Sequence, residues 1–196
     1  MMRTLTVNDI LDLRAYEKVR AEMRQGVIDL KRVRRVSLGT MISVVFENKA
    51  TMRFQVQEMA RAERMMRDED IQAELDVYNE LIPREHELVA TLFVELTSKA
   101  ELEEWLPKLA GVERSLELMV DEVAVPGTID PAHAEQLSRP DVTASVHYLR
   151  FSLPERAAVS FVDRDVRLLV HHPAYEAETG FGDELKRSLA ADWQIG

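Results

Sequence analysis

The 196-residue chain contains no cysteine. Its absence excludes disulfide bonds, thiol nucleophiles, and zinc or iron–sulfur centres that are held by cysteine ligands. Any redox chemistry in which this protein takes part must therefore use groups other than its own thiols.

Glycine is also scarce, with seven residues, and the sequence has no glycine-rich loop. The phosphate-binding patterns G-x-G-x-x-G and G-x-x-x-x-G-K-[ST] are missing, as are the G-x-S-x-G nucleophile elbow and the H-E-x-x-H zinc motif. These absences argue against dinucleotide-binding, NTP-binding and serine-hydrolase folds. They restrict metal sites less, because metal ligands can lie far apart in sequence.

Long hydrophobic runs are absent as well. The longest, such as Leu92–Val94 and Leu168–Val170, fall far short of the roughly 20 residues that a membrane helix needs. The first 13 residues lack the apolar core and the small-residue cleavage site of a signal peptide. We therefore expect no membrane span and a cytoplasmic location.

The charge is strongly negative overall but unevenly distributed. The net charge is −10 with an isoelectric point near 5.1, which argues against a general nucleic-acid binder. Residues 14–35 nevertheless hold eight Lys/Arg against three Asp/Glu, so this segment carries +5 and the remainder −15. Its last cations either bind a protein partner or complement the negative end of their own helix. These cations are Lys31, Arg32, Arg34 and Arg35.

The N-terminal half shows helical and strand-like patterns. Apolar residues recur at intervals of three and four over 14–34, which predicts a long basic helix covering 14–35. Residues 36–48 read as a strand, and a tight turn at 48–50 leads to a returning strand, TMRFQV. A helix is predicted to follow over 55–66.

Residues 87–96, ELVATLFVEL, are apolar on both alternating faces. A strand that is apolar on both faces is typically covered on both sides, so we predict that 88–96 is an interior strand.

The C-terminal third reads as consecutive strands. We predict that Val142–Leu153, Ala157–Val162 and Val166–His171 pair as an antiparallel meander within 142–172, with Asp163–Asp165 at the tip of its last hairpin. Hairpin-connected strands mixed irregularly with helices are typical of α+β proteins. We therefore predict a single α+β domain over residues 1–196, with a largely antiparallel sheet packed by several helices.

Two glutamates near the predicted turn differ in their expected burial. On a helix over 55–66, Glu63 shares the apolar stripe with Met59 and Met66, whereas Glu47 lies at a strand end. We therefore predict that Glu63 is buried and Glu47 is exposed. A buried carboxylate needs compensation, either from an arginine of the basic helix or from a metal ion.

Histidines could complete a metal site with Glu63. His147 lies in a predicted strand and His171 ends the strand predicted beside it. Two imidazoles and one carboxylate can hold iron, manganese or zinc. The alternative is that each histidine has a hydrogen-bonded structural role. A divalent metal is therefore compatible with the sequence, but no cofactor is required by it.

Several segments together resemble a known family. The blocks FENKATMRFQVQEMARAER, YNELIP, LVATLFVEL, VHYLRFSL and HHPAY are similar to the successive blocks of an uncharacterised bacterial domain-of-unknown-function family. The resemblance covers roughly residues 5–193. It implies that the gene for this protein often lies beside genes for a rubrerythrin-like diiron protein and a cysteine-rich iron–sulfur oxidoreductase. It implies no reaction and no catalytic residue.

Three functions follow as hypotheses. The first is a non-catalytic accessory or docking protein in a cytoplasmic redox or peroxide-defence system, whose partners carry the iron–sulfur and diiron centres. The second is a metal-dependent enzyme that uses Glu63, His147 and His171 as ligands. The third is a small-molecule sensor with a pocket between sheet and helices. A homo-oligomer is compatible with each of them.

Overall fold

A computed structural model describes residues 4–129 and 142–193. It contains helices and two antiparallel sheets, as predicted for an α+β protein, and the arrangement fits a single domain. The helices are α1 (Leu13–Arg34), α2 (Lys49–Ala62), α3 (Asp68–Asn79), α4 (Lys99–Lys108), α5 (Glu155–Ala158) and α6 (Asp183–Ala191). The strands are β1 (Arg35–Leu38), β2 (Ile42–Glu47), β3 (Glu87–Val94), β4 (Leu116–Val120), β5 (Val123–Pro126), β6 (Thr128–Ile129), β7 (Val146–Ser152), β8 (Val166–His172) and β9 (Tyr175–Gly180).

The two sheets share one hydrophobic core. The first sheet has the strand order β1-β2-β3-β7-β6 and the second has β5-β4-β8-β9. Phe46 and Leu92 of the first sheet join Leu118 and Leu168 of the second in a single buried cluster. A smaller cluster on the other face of the first sheet joins Val89 to residues of the helices. The first sheet is thus covered on both faces, by the second sheet and by helices.

Strand β3 is interior, which confirms the prediction for this segment. It pairs with β2 on one side and β7 on the other. Leu88, Ala90 and Leu92 belong to the core between the sheets, whereas Val89 belongs to the cluster on the helix side. A strand placed between two apolar layers needs apolar residues at successive positions, and this sequence supplies them.

The bounds predicted for the basic helix differ from the observed ones by one residue at each end. The prediction of a returning strand at TMRFQV is wrong. These residues lie inside α2, which begins directly after Asn48. The Asn48 side-chain oxygen accepts the backbone N–H groups of Ala50 and Thr51, at 3.0 and 3.1 Å. The Thr51 hydroxyl in turn accepts the Asn48 N–H at 2.9 Å. This capping box starts the helix several residues before the predicted start at residue 55.

The predicted C-terminal meander is also wrong. Residues 157–162 form no strand, because α5 and a following 3₁₀ turn occupy this region. The buried residues Ala157, Ala158 and Phe161 recur at helical spacing rather than on alternate positions. Strands β7 and β8 therefore belong to different sheets, and β8 pairs with β4 and β9 instead.

Within the two described stretches, no helix combines the length and the apolar composition needed to cross a membrane.

Arg34, the last residue of α1, fastens three parts of the fold together. Its side chain is 1% exposed. Nε donates to the carbonyl of Phe46 at 2.9 Å, and Nη2 donates to the carbonyl of Glu47 at 3.2 Å. Nη1 donates to the carbonyl of Ser188 at 3.0 Å, and Nη2 also bonds the carboxylate of Asp192. The guanidinium therefore joins the ends of α1, β2 and α6.

We expect Arg34→Met to lower the free energy of unfolding by about 3–5 kcal/mol, because it removes the charged donor to Asp192 Oδ2 and to three backbone carbonyls. Arg32→Met is a matched control, since Arg32 lies on the same helix turn but is 78% exposed. Urea unfolding at pH 7 measures both variants. Equal unfolding free energies for the two variants would contradict this role of Arg34.

Candidate functional site

The solvent-facing side of α1 carries four exposed cations and three exposed acids, Glu17, Glu22 and Asp29. Arg24, Ile28 and Arg32 are exposed and recur every four residues, so they follow one face of the helix. Arg14 lies 18 residues before Arg32, which is five helical turns, and therefore on the same face. Lys18 follows Arg14 by one turn and is also exposed. We call these five residues the basic face; its apolar member is Ile28, which is 42% exposed and lies between Arg24 and Arg32.

The acids of α1 neutralise the basic face only in part, since Glu17 pairs with Arg61 of α2 instead. Arg32 approaches Asp29 of the same helix at 3.6 Å, a surface pair of small energetic value. Arg14, Lys18 and Arg24 make no ion pair with any residue in the part of the chain that the structure describes. The face therefore presents positive charge to solvent.

The four cations predicted to bind a partner lie in different environments. Arg32 is exposed on the basic face. Arg35 is partly exposed, pairs with Glu95 at 2.7 Å and lies over the Phe93 ring at 5.3 Å from the ring centre. Lys31 is half-buried and points to the sheet. Arg34 is enclosed and satisfied inside the fold, so it is not available to a partner at this surface.

An ion pair holds the first half of α1 against α2. Arg20 donates two hydrogen bonds of 2.8 Å to the carboxylate of Glu58, which also accepts from the Tyr16 hydroxyl. These donors, the arginine first, hold the pKa of Glu58 down at about 2. Burial raises the pKa of Tyr16, and the bond to the Glu58 carboxylate raises it further. The pair fixes the helix that carries the basic face.

The predicted burial of the two glutamates is reversed in the structure. Glu63 is exposed just after the end of α2, and Met66 of its supposed stripe is 80% exposed. Glu47 is 2% exposed at the end of β2. The helix that would have buried Glu63 ends at Ala62, whereas Glu47 faces the layer of helices that covers the first sheet.

The two carboxylate oxygens of Glu47 differ in their hydrogen bonding. Its Oε1 accepts from the Thr91 hydroxyl at 2.7 Å and from the Lys31 ammonium at 3.4 Å. Its Oε2 is buried and has no hydrogen-bond partner in the described parts of the chain. Tyr148 lies opposite Thr91 on the neighbouring strand. Burial raises the pKa of Tyr148, and the nearby Tyr78 and Glu47 raise it further.

His147 belongs to a separate buried polar group. Its Nε2 lies 2.9 Å from the Ala144 carbonyl and 2.8 Å from the Thr143 hydroxyl. Because a carbonyl can only accept, Nε2 carries the hydrogen. The Thr143 hydroxyl then donates to the Ala144 carbonyl at 3.3 Å or to Glu113 at 3.5 Å. Burial lowers the pKa of His147, and the Glu113 carboxylate only partly opposes this effect. The imidazole is thus held neutral.

The three predicted metal ligands are not brought together. His147 is buried on β7 of the first sheet, His171 is exposed on β8 of the second sheet, and Glu63 is exposed beyond α2. No group of three or more His, Asp or Glu side chains able to hold a metal ion occurs among residues 4–129 and 142–193. The neighbouring His172 is fixed structurally, since it donates to the Ala110 carbonyl at 3.1 Å and accepts from the Ala174 N–H.

Comparisons with known proteins identify relatives without an assigned activity. The family described as "Protein of unknown function (DUF3501)" matches residues 4–193. A crystal structure of a protein of unknown function from Burkholderia pseudomallei K96243 is similar, with 34% identity and a TM-score of 0.88 over 97% of this chain and 99% of that one. No curated protein matches the chain.

The His147 environment predicts a pH dependence of stability. The folded-state pKa lies below the unfolded value of about 6.5, so the unfolded chain binds the proton first and stability is lost as the pH falls below about 6.5. Replacing His147 with Gln should remove this loss, which is at most about 1.4 kcal/mol per pH unit. Urea unfolding at pH 7.5, 6.5 and 5.5 measures the free energy of unfolding of the wild type and the variant.

The matched control is His171→Gln, because His171 is exposed. This variant should keep the wild-type dependence on pH. If both variants lose stability in parallel with the wild type on acidification, the buried imidazole is not the titrating group.

Proposed function

We propose that this chain, which belongs to the DUF3501 family of proteins of unknown function, is a non-catalytic accessory protein. It docks a protein partner through the basic face of α1. The observation that carries the proposal is the basic face itself. It presents Arg14, Lys18 and Arg24, which have no ion-pair partner among the described residues, on the same face as an exposed Ile28 in a molecule whose net charge is −10. Such an asymmetry attracts and orients an acidic partner.

The partner is best sought in a cytoplasmic redox or peroxide-defence system. The family resemblance implies a rubrerythrin-like diiron protein and an iron–sulfur oxidoreductase as the candidates. The chain itself has no cysteine, so an iron–sulfur centre would belong to the partner. This protein would then supply recognition, and its partner the electron-transfer chemistry.

The basic face is built for docking in two physical respects. Cations spread over several helical turns can steer an encounter from a distance, and their effect declines with salt. The exposed Ile28 of the basic face offers apolar surface that becomes buried on contact. Arginine is among the residues enriched at protein interfaces. The ion pair of Arg20 with Glu58 keeps the helix rigid against α2. A rigid helix loses little conformational freedom when it binds.

The proposal predicts charge-dependent binding. The purified rubrerythrin-like protein and the purified oxidoreductase from the same genome are each titrated with this chain by isothermal calorimetry at 50 and 200 mM NaCl. We expect at least one of them to bind, more weakly at the higher salt. The double variant Arg24→Glu/Arg32→Glu should weaken that binding by about tenfold or more, since it reverses two charges on the basic face.

The control is the double variant Arg84→Glu/Lys99→Glu. It changes the net charge by the same amount, and both residues are exposed outside α1. It should bind like the wild type apart from the general effect of net charge. Equal weakening by the two double variants, or no binding to either protein by the wild type, would overturn the proposal.

A further inference from the structure

The carboxylate of Glu47 lacks donors that a buried charge requires. A carboxylate offers about four acceptor positions, and both donors to Glu47 meet the same oxygen, Oε1. Oε2 has no partner among the residues that the structure describes. Leaving a charged oxygen buried and unbonded is unfavourable, so the site is incomplete as the chain alone builds it.

Lys31 compensates Glu47 only in part. The distance of 3.4 Å between Nζ and Oε1 exceeds the 2.7–2.9 Å that is usual for a charge-assisted bond. The lysine side chain is also 33% exposed, while the carboxylate is 2% exposed. The ammonium of this half-exposed lysine can therefore leave for water at little cost.

The surroundings of the carboxylate combine aromatic and apolar groups. Val89 lies directly across from Glu47 on β3, and Tyr148 lies opposite Thr91. Tyr148 and Tyr78 both pack against the small cluster between the helices and the first sheet. Aromatic rings attract cations, and aliphatic side chains accommodate a short alkyl chain.

We propose that Glu47 anchors a binding site for a small organic cation, a primary ammonium or guanidinium group on a short apolar chain. The N–H groups of such a cation would bond Oε2 and take the place of the Lys31 ammonium at Oε1. Lys31 thus acts as an internal substitute for the ligand's cationic head. The argument for this site does not rest on the docking proposed for the basic face.

The chemistry of the site favours an organic cation over a divalent metal ion. No second carboxylate or imidazole completes a metal-binding group around Glu47 in the described residues. The Lys31 ammonium would also repel a doubly charged ion more strongly than a singly charged one. The competing occupant is a trapped water molecule, which commonly satisfies a buried polar atom.

The test uses n-butylammonium chloride as the probe, with agmatine as the guanidinium probe. Three compounds serve as controls. Sodium chloride controls for ionic strength, n-butanol for the alkyl chain, and tetramethylammonium chloride for a positive charge without N–H donors. We expect saturable binding of the two probes in calorimetry and no saturable binding of the three controls. In the wild type, the NMR signals of Thr91, Val45 and Tyr148 should shift on titration.

Three variants separate the proposal from its alternatives. Lys31→Met should tighten binding of n-butylammonium about tenfold, because it removes the internal competitor. Glu47→Gln should abolish binding, and Lys99→Met, which replaces an exposed lysine of α4, should leave it unchanged. The NMR titration needs no variant, so it decides the question even if Glu47→Gln does not fold.

Other outcomes overturn the proposal. No saturable shift of the three NMR signals, or equal responses to n-butylammonium and sodium chloride, would mean that Oε2 is satisfied by a trapped water. Weaker binding in Lys31→Met would show that the lysine contacts the ligand rather than competing with it. Failure of this proposal leaves the docking proposal standing, because the docking test uses other variants and other probes.

Discussion

The buried guanidinium of Arg34 is the contact on which the arrangement of the functional surfaces depends. It bonds the carbonyls of Phe46 and Glu47 and the carboxylate of Asp192, so it fixes where α1 ends, where β2 ends and how α6 closes over them. Asn48 donates to the other oxygen of Asp192 at 3.1 Å, which connects the first turn of α2 to the same network. The direction of α1, and with it the basic face, follows from this junction.

The first sheet is unusual in carrying polar groups on the face that the helices cover. Its other face contributes only apolar side chains of β2 and β3 to the core between the sheets, such as Phe46 and Leu92. On the helix side, buried Ser43, Thr91 and Glu47 replace apolar residues. Polar residues in such a layer reduce hydrophobic stabilisation, and in some proteins they serve specificity or function. This placement makes the helix side of the sheet the better candidate for ligand recognition.

The sequence predicted well what depends on local periodicity. The long basic helix and the interior strand β3 both carry unbroken patterns over more than two turns or several alternations. In TMRFQV, an alternation typical of strands coincides with a helix, and the capping box at Asn48 decided the outcome. The division into two sheets was not predictable in the same way, because it depends on pairing between distant strands, such as β4 with β8.

The candidate site was less predictable, because the number of charged residues in a segment does not show which of their side chains face solvent. Arg32 and Arg34 are two residues apart, about 200° around the helix, so one is exposed and the other buried. Glu47 follows a run of buried residues in β2, and this continuous run was the available signal that the strand end is covered too. Whether a covered end receives a compensating lysine depends on how α1 crosses the sheet, which the local sequence does not encode.

The end of α1 brings the two proposed surfaces within one helical turn. Lys31 contacts the buried carboxylate, Arg32 belongs to the basic face, and Arg34 holds the junction. If a cation replaces the Lys31 ammonium at Glu47, that ammonium must move to solvent, beside Arg32. The positive potential of the basic face would then rise when the buried site is filled. Occupancy of one surface can thus change the affinity of the other through charge alone, without a change in the fold.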